Sequence, residues 1–359
     1  MSVPTRHPRR RLAHIAGLAA LAVAAAGCGP GASQSPSSAP ASVVPTAVPS
    51  PGGTLVVYSG RSEELVGPLI ERFEAQTGVV VEVNYAGTSE LAATILEEGD
   101  RSPADVFFSQ DGGALGALAE ASRLAALPQT LLERVAHALR SPDGVWVGVS
   151  GRARVAAYNT ELLTAADMPA SILDFTDPKW RGKLGWAPSN ASLQSFVTAL
   201  RVLDGEDAAR AWLEGIQANE PMVYEGNSQA LDGVASGESQ VAFINHYYLL
   251  AALADGGEVP VANHFFPGGD PGSLINVAGA GVLTTAENPT AALAFAEFLL
   301  SAESQAYFAE ETYEYPLVEG IGADARLTPL DEIDSPAIDL SDLADLEGTV
   351  ELMQEVGIL

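Results

Sequence analysis

Two adjacent tyrosines stand near the end of a short apolar stretch, "VAFINHYYLL", which spans residues 241–250. Tyr247 and Tyr248 directly follow His246. Neighbouring side chains point to opposite faces of a strand and lie about 100° apart on a helix, so they converge on one point only at a turn or at the end of an element. The pair is therefore either a half-buried aromatic pair or a pair of ligands.

The sequence lacks the common signatures of hydrolases and nucleotide-binding enzymes. It contains no G-x-S-x-G, no phosphate-binding G-x-x-x-x-G-K-[ST] and no H-E-x-x-H. The histidines beyond the first 27 residues, His137, His246 and His264, do not pair at metal-ligand spacing, and ordinary surface or packed histidines account for them. An extracellular hydrolase would need a nucleophile with a base. We therefore expect a binding protein and no enzyme.

The charge balance excludes one class of partner. The 359 residues include 18 lysines and arginines against 46 aspartates and glutamates, which gives a net charge of −28. A surface this acidic repels nucleic acid, so we expect no nucleic-acid partner. The length is sufficient for two domains with a site between them.

The start of the sequence is typical of an exported protein. A basic stretch, an apolar run too short to span a bilayer and a group of small residues precede Cys28, the only cysteine. We interpret residues 1–27 as a signal peptide and Cys28 as the lipidation site of a lipobox, with Ala25 in place of the usual leucine. The alternative is an ordinary signal peptide with a stray cysteine. A lipid on Cys28 would anchor the chain to the outer face of the cell membrane.

Beyond the predicted signal peptide, residues 28–53 are rich in Ser, Pro, Ala and Gly and carry no charge, which predicts a disordered tether. From Thr54 onward, strand patterns such as "TLVVYS" alternate with amphipathic helix patterns such as "EELVGPLIERFEAQTG". This alternation predicts a parallel α/β sheet, in which ligands bind at the carboxyl ends of the strands.

Six motifs resemble, in order and spacing, those of the ferric-ion-binding proteins of bacterial ABC importers: "LVVYSGR", "RSPADVFFS", "SGRARVAAYNTELL", "DFTDPKWRGKLGWAP", "INHYYLL" and "EYPLVEG". The resemblance implies a type II periplasmic-binding fold, with two α/β lobes joined by crossing strands and a cleft between them. On that basis we expect a first lobe from residues 54–150 with a return at 277–325, a second lobe from 151–276, and a C-terminal helical segment from 326–359.

The resemblance also implies a set of iron ligands. In the family the tyrosine pair supplies two phenolates, which correspond here to Tyr247 and Tyr248. A further tyrosine in many members corresponds to Tyr158, for which a buried tyrosine capping the core is the competing interpretation. Anionic oxygen is the donor that a hard trivalent cation prefers. The usual first-lobe histidine and glutamate are missing, because Ser62 and Gln110 stand at those places. Glu63 is the candidate substitute, although glutamates are common at helix starts without any ligand.

With fewer protein ligands, the resemblance implies an exogenous anion beside the iron: carbonate, phosphate or citrate. Helix starts, loop amides and an arginine provide donors for such an anion. The candidate contacts are Arg152, Ser189, Asn190, Ala191, Asn227 and Asn245. Plain helix caps and an ion pair of Arg152 are the competing interpretations.

The function implied is an ABC-importer substrate-binding protein that captures Fe³⁺ and delivers it to a permease driven by an ATPase. We expect it to be a monomer, with Ser62 and Gln110 lining the cleft and with Tyr58 either lining the cleft or packed in the core. The alternative is the same fold binding an organic or phosphorus-containing solute, of the thiamine, polyamine or phosphonate type. The adjacent tyrosines favour iron, since those solutes do not require paired phenolates.

Overall fold

The structure is a computed structural model, which describes residues 52–254, 256 and 258–359. The predicted signal peptide, the predicted lipidation site Cys28 and nearly all of the predicted tether lie outside the described residues. In the described part of the chain, no helix is long and apolar enough to cross a membrane.

Strands and helices alternate along most of the described chain, as the sequence predicts. The strands are β1 (Thr54–Ser59), β2 (Val80–Tyr85), β3 (Val106–Ser109), β4 (Trp146–Asn159), β5 (Leu184–Trp186), β6 (Met222–Val223), β7 (Val241–Asn245), β8 (Val261–His264), β9 (Ile275–Val282) and β10 (Tyr315–Pro316). The helices are α1 (Glu63–Thr77), α2 (Thr88–Glu98), α3 (Gly112–Glu120), α4 (Gln129–Leu132), α5 (Ala191–Asp204), α6 (Glu206–Ala218), α7 (Asn227–Ser236), α8 (Tyr247–Ala254), α9 (Pro289–Leu299), α10 (Ala302–Glu310) and α11 (Leu346–Glu355).

Strand β4 runs through both halves of the molecule. Its first half pairs with β9, and its second half, from Arg154 to Asn159, pairs with β7 and β8. All of its residues are buried. We call the part built on β1, β2, β3 and β9 the first lobe, and the part built on β5, β6, β7 and β8 the second lobe. Because one continuous strand belongs to both sheets, it is the natural hinge between the lobes.

The sheet order is β2-β1-β3-β9-β4-β7-β5-β6, with β8 and β10 also paired to β4. Within each lobe the strands of the alternating pattern are parallel, namely β1 with β2 and β3, and β5 with β6 and β7. Strands β4 and β9 run antiparallel to their neighbours. The predicted parallel pairing therefore holds within the βα units of each lobe, whereas the strands that cross between the lobes reverse direction relative to those units.

Each lobe has its own apolar core. In the first lobe, Phe73 packs edge-on against Phe295 at a ring-centroid distance of 5.1 Å. In the second lobe, Phe175 and Trp212 both pack against Phe243 of β7, at 5.1 Å and 5.7 Å. Aromatic pairs of this kind add about 1 kcal/mol each beyond the burial of their surface. The side of β7 that faces this core is thereby fixed.

The C-terminal segment touches both lobes. A short 3-10 helix, Leu340–Ala344, lies on α3 of the first lobe, where Gly113 leaves room for the backbone at Leu343. Helix α11 then packs on α5 of the second lobe, and the hydroxyls of Thr198 and Thr349 are hydrogen-bonded at 2.8 Å. The segment therefore bridges the lobes on a second path besides β4 and β9.

Candidate functional site

The tyrosine pair lies at a strand-to-helix junction. Strand β7 ends at Asn245, and α8 begins at Tyr247. The rings of Tyr247 and Tyr248 stack with their centroids 4.4 Å apart and their planes 27° from parallel. The change of element turns two sequence neighbours toward the same side, which neither a continuous strand nor a continuous helix would do.

The side chain of His246 holds this junction in place through two hydrogen bonds and a ring contact. Its Nδ1 accepts a hydrogen bond from the backbone N–H of Ala153 at 3.1 Å, and its Nε2 is 3.0 Å from the backbone oxygen of Tyr313. Its ring stacks on that of Tyr315 at 4.6 Å. Burial lowers the pKa of His246 to about 4, so the imidazole is neutral and its Nε2–H donates to Tyr313. His246 is therefore a structural residue that orients the tyrosine next to it.

The pair opens onto a cavity of about 450 Å³ between the two lobes. The first lobe contributes the ends of its strands and the start of α1, and the second lobe contributes one asparagine and the tyrosine pair. The lining residues are Gly60, Arg61, Ser62, Glu63, Leu65, Tyr85, Ala86, Gln110, Asn190, Tyr247 and Tyr248. The cavity lies at the carboxyl ends of β1, β2 and β3, as expected for an open α/β sheet.

A cluster of buried charges lies next to the tyrosine pair. The side chains of Arg61 and Arg152 are 1% and 2% exposed, and both face the fully buried Glu314. Arg61 Nη2 donates to Glu314 Oε2 at 2.9 Å, whereas Arg152 Nε is 3.8 Å from Glu314 Oε1. Among the described residues, Nε and Nη1 of both arginines have no hydrogen-bond partner. Two cations therefore share one carboxylate and keep donor groups free for an anion.

The buried charges act on the acidity of the first tyrosine. Burial raises the pKa of Tyr247, and the neighbouring Tyr248 adds to this effect. The guanidinium groups of Arg152 and Arg61 oppose it, because positive charge favours the phenolate. Conversely, burial lowers the pKa of Arg152, and Arg61 lowers it further. In the metal-free protein Tyr247 is consequently a neutral phenol that already has cationic neighbours.

A chain of polar side chains leads from the hinge to the rim of the cavity. Arg154 donates to Asn245 Oδ1 at 3.0 Å, and Asn245 Nδ2 donates to Ser192 Oγ at 3.1 Å. Gln110 of the first lobe reaches the same Ser192 hydroxyl at 3.4 Å. Through Ser192, a side chain of the first lobe is therefore hydrogen-bonded to the second lobe at this rim.

The two predicted anion-binding helix starts differ in how their N–H groups are used. At α5, the side chain of Asn190 caps the helix by accepting from Ser192 N–H at 3.0 Å. At α7 no side chain caps the helix, and its first residue, Asn227, is 2% exposed. Asn227 Nδ2 donates to Asn190 Oδ1 at 3.4 Å, which brings the two helix starts together. The free donors are therefore mainly at α7.

The structure brings some of the predicted site residues together at the cavity and leaves others apart. Those lining it are Tyr247, Tyr248, Glu63, Ser62, Gln110 and Asn190. Ser189 is exposed and Ala191 half-buried beside Asn190, while Arg152, Asn227 and Asn245 are buried behind the lining.

Of the two interpretations of Tyr58, the structure favours packing in the core over lining the cavity. Its ring is 6% exposed within the first-lobe core, and its hydroxyl donates to Glu98 Oε1 at 3.0 Å. Its side chain lies over a face of the sheet and reaches Glu98 of α2, and not the end of β1 where the cavity lies.

Tyr158 is also absent from the cavity. It is 8% exposed in the second-lobe core and pairs with Val241, at the opposite end of β7 from Asn245. At about 3.4 Å per residue, this places it more than 10 Å along the strand from the junction. Both tyrosines belong to the same lobe, so lobe motion would not bring Tyr158 closer to Tyr247.

Three residues of the site were not assigned a role from the sequence: Arg61, Tyr85 and Glu314. Arg61 and Glu314 belong to the motifs "LVVYSGR" and "EYPLVEG" but are 253 positions apart, and only the fold shows that they pair. Tyr85 is the last residue of β2. The rule that ligands gather at carboxyl ends of strands was the available signal for it. Within the described residues, no group of three or more His, Cys, Asp or Glu side chains is arranged to hold a metal.

Comparisons with known proteins identify relatives over most of the chain. The model of a family described as bacterial extracellular solute-binding protein matches residues 68–328. The Fe(3+)-binding periplasmic protein of Serratia marcescens is 33% identical over 308 residues, which cover 85% of this chain and 90% of that protein.

Solved structures agree with this likeness. The iron-bound HitA from Pseudomonas aeruginosa is 35% identical, with a TM-score of 0.81 over 85% of this chain and 99% of that chain. The Trichodesmium FutA in complex with iron and citrate is 29% identical, with a TM-score of 0.73 over 86% of this chain and 100% of that chain. These similarities confirm the expected two-lobe type II periplasmic-binding fold.

Proposed function

The chain belongs to the bacterial extracellular solute-binding proteins, a family of exported binding proteins and not of enzymes, and from this premise we propose that it captures ferric iron for an ABC importer. The observation that carries the proposal is the stacked pair Tyr247 and Tyr248, which opens onto the cavity between the lobes. Relatives that are named for ferric iron, or solved with iron bound, support it.

Tyr247 and Tyr248 supply two phenolate oxygens from the second lobe. Fe³⁺ is a hard cation, and its charge favours loss of the phenol protons when the oxygens bind. Neither hydroxyl is hydrogen-bonded to another protein group in the described part of the chain, so binding breaks no internal bond. Glu63, exposed at the start of α1 and lining the same cavity, adds a carboxylate from the first lobe.

A synergistic anion completes the coordination shell. Arg152 provides the charge for it, since its Nη1 has no hydrogen-bond partner among the described residues and the carboxylate that it faces, Glu314, is shared with Arg61. The other candidate contacts for the anion lie at element ends near Tyr247. They are Ser189, Asn190 and Ala191 at the start of α5, Asn227 at the start of α7 and Asn245 at the end of β7. Carbonate, phosphate and citrate all fit a guanidinium fork. Arg154 is excluded from this role, because Asn245 and Phe243 already accept from it.

Capture then proceeds by closure of the lobes about β4 and β9. Iron held by the second-lobe tyrosines attracts the anionic oxygens of the first lobe, which stabilises the closed form. A permease and its ATPase receive the cargo. We further propose that the protein acts as a monomer, and that a lipid on Cys28 holds it at the outer face of the membrane.

An iron count tests the proposal against an organic or phosphorus-containing solute. Metal-stripped protein is equilibrated with ferric citrate in bicarbonate or phosphate buffer, freed of unbound iron by gel filtration and assayed for iron. We expect one iron per chain. In parallel, thermal unfolding is followed with thiamine, spermidine and an alkylphosphonate, and no stabilisation is expected. A protein that retains no iron and is stabilised by one of those solutes would contradict the proposal.

A further inference from the structure

The first-lobe side of the cavity lacks an obvious full set of iron ligands. Ser62 and Gln110, which line it, offer only a neutral hydroxyl and a neutral amide. A ferric ion prefers anionic oxygen. Among the lining residues of the first lobe, only Glu63 and Tyr85 can provide it.

Tyr85 is positioned firmly for such a role. It is the last residue of β2, and its register partner on the parallel strand β1 is Ser59, just before the Gly60 that begins the cavity wall. The side chains of β2 alternate, so Val81, Val83 and Tyr85 share the half-buried face and pack against the first-lobe core. The ring of Tyr85 is thus held by the core, while its residue lines the cavity.

The hydroxyl of Tyr85 resembles those of Tyr247 and Tyr248 because it lacks a hydrogen-bond partner among the described residues. No hydrogen bond joins it to another protein group in the described part of the chain. The hydroxyls of Tyr58, Tyr307 and Tyr315 do have such partners, namely Glu98 Oε1, the backbone oxygen of Leu65 and that of Thr328. Half-buried tyrosines usually find a partner for the O–H. Tyr158, which is buried away from the cavity, also has a hydroxyl without such a partner among the described residues. What distinguishes Tyr85, Tyr247 and Tyr248 is that three such hydroxyls lie together at one cavity, and this clustering points to a shared partner from outside the chain.

The electrostatic environment of Tyr85 also indicates a cation. Burial raises the pKa of Tyr85, and the negative charge of Glu63 raises it further. Two anionic oxygens side by side would repel each other unless a cation lies between them. A bound trivalent ion reverses this effect and makes the same proximity favourable.

We propose that Tyr85 is a third phenolate ligand, supplied by the first lobe, which closes the cleft on iron bound to Tyr247 and Tyr248. The inference rests on the proposed function and extends it to a ligand on the opposite lobe. As the Fe–O bond forms, the phenol proton passes to the buffer and a water or chelator oxygen leaves the iron. The oxidation state of the iron does not change.

The test compares Tyr85→Phe with Tyr58→Phe. Each substitution removes one hydroxyl, and the two residues lie on paired strands of the same lobe, but only Tyr85 lines the cavity. For the parent and both variants, three quantities are measured after loading with ferric citrate: visible absorbance per bound iron, protons released per iron, and the rate of iron loss to excess EDTA.

We expect Tyr85→Phe to bind one iron with weaker phenolate-to-iron absorbance and to release one proton fewer than the parent. It should lose iron faster by roughly tenfold or more, since even a group one step removed from a metal changes its affinity by about 10- to 100-fold. Tyr58→Phe should match the parent in all three quantities.

The outcomes separate this inference from the proposed function. A parent that loads coloured iron, with Tyr85→Phe equal to it in absorbance, proton release and iron loss, would overturn the role of Tyr85 and leave the ferric receptor intact. A parent that binds no iron would overturn both. Unchanged absorbance and proton release with faster loss would also contradict direct ligation, because that pattern belongs to a residue that only shapes the cavity.

Discussion

Phenol oxygens become good ligands for a hard cation only after they lose a proton, and Tyr247 lies where burial opposes that loss. The positive charges of the buried Arg61 and Arg152 favour the phenolate and so reduce the free-energy cost of deprotonating Tyr247, but burial still outweighs them. Tyr247 therefore stays protonated in the empty protein, and under the proposed function it would become a phenolate only when a cation binds. Proton release and metal capture would then be a single event at this site.

Iron retention should weaken as the pH falls. Because the pKa of Tyr247 is raised above that of free tyrosine, the phenol is protonated throughout the range below pH 8, and protons compete with iron everywhere in that range. Affinity should fall by about tenfold per pH unit for each proton released. The measurement is a citrate competition from pH 8 to pH 5.5, corrected for the titration of citrate. Affinity that stays constant or rises on acidification would show that no phenol proton is displaced.

The sequence could predict which residues lie together at the site only where the signal is local. Tyr247 and Tyr248 are neighbours, so their convergence follows from a single element boundary. The sequence left Tyr58 and Tyr158 between the cleft and the core, because their orientation depends on long-range pairing. The register of β4 against β7 sets Tyr158 opposite Val241, at the far end of β7 from the junction, and no local pattern encodes that register.

At the scale of elements, the βα alternation was predictable because helices and strands have different periods of apolar residues. The continuity of β4 was not, since "GVWVGVSG" and "VAAYN" suggest two short strands, whereas Trp146–Asn159 is one strand buried throughout. The short strands β8 and β10 exist only because β4 offers them an edge. Their sequences carry too little periodicity to predict them.

The β7–α8 junction should make folding stability depend on pH through His246. The pKa of this residue is about 4 in the folded protein, below the value of about 6.5 for an unfolded histidine. The unfolded chain therefore binds more protons between these values, and stability present above pH 6.5 is lost as the pH falls toward 4. This contribution amounts to about 2 kcal/mol between pH 7.5 and pH 5.

Urea unfolding of metal-free protein at both pH values checks this prediction, with His246→Gln as the non-titrating comparison. The parent should lose about 2 kcal/mol more than the variant on acidification. Equal losses in the two proteins would mean that His246 does not titrate between the folded and unfolded states in this range.

Packing of the C-terminal segment on α3 should depend on Gly113. A Cβ at this position would lie 2.3 Å from the backbone oxygen of Leu343, which cannot move aside without displacing the segment. Gly113→Ala should therefore destabilise the protein by about 1–3 kcal/mol in urea unfolding.

The matched control for that substitution is Gly322→Ala, in the loop that follows β10. A Cβ at this position would meet no atom within 4 Å, and the φ of Gly322 lies outside the left-handed region. The change to alanine should therefore be neutral or stabilising by up to about 1 kcal/mol. If both variants lost stability equally, the close approach on α3 would not be the cause.

At the scale of the whole molecule, the fold separates the two halves of the site and then limits how they move. Tyr247 and Tyr248 lie on the second lobe, and Glu63, Arg61 and Tyr85 lie on the first. Strands β4 and β9 join the lobes, and the C-terminal segment touches both on a second path. Under the proposed function, a cation that binds to both sides of the cavity would hold the two lobes in a closed form.

The central claim is that the phenol oxygens of Tyr247 and Tyr248 hold ferric iron, and a visible absorption titration tests it most directly. Metal-stripped parent and the double variant Tyr247→Phe/Tyr248→Phe are titrated with ferric citrate in bicarbonate buffer, and circular dichroism confirms that both are folded. The account predicts a phenolate-to-iron charge-transfer band that saturates at one iron per chain in the parent and is abolished in the double variant. A band that persists unchanged in the folded double variant, or a parent that binds iron without colour, would contradict it.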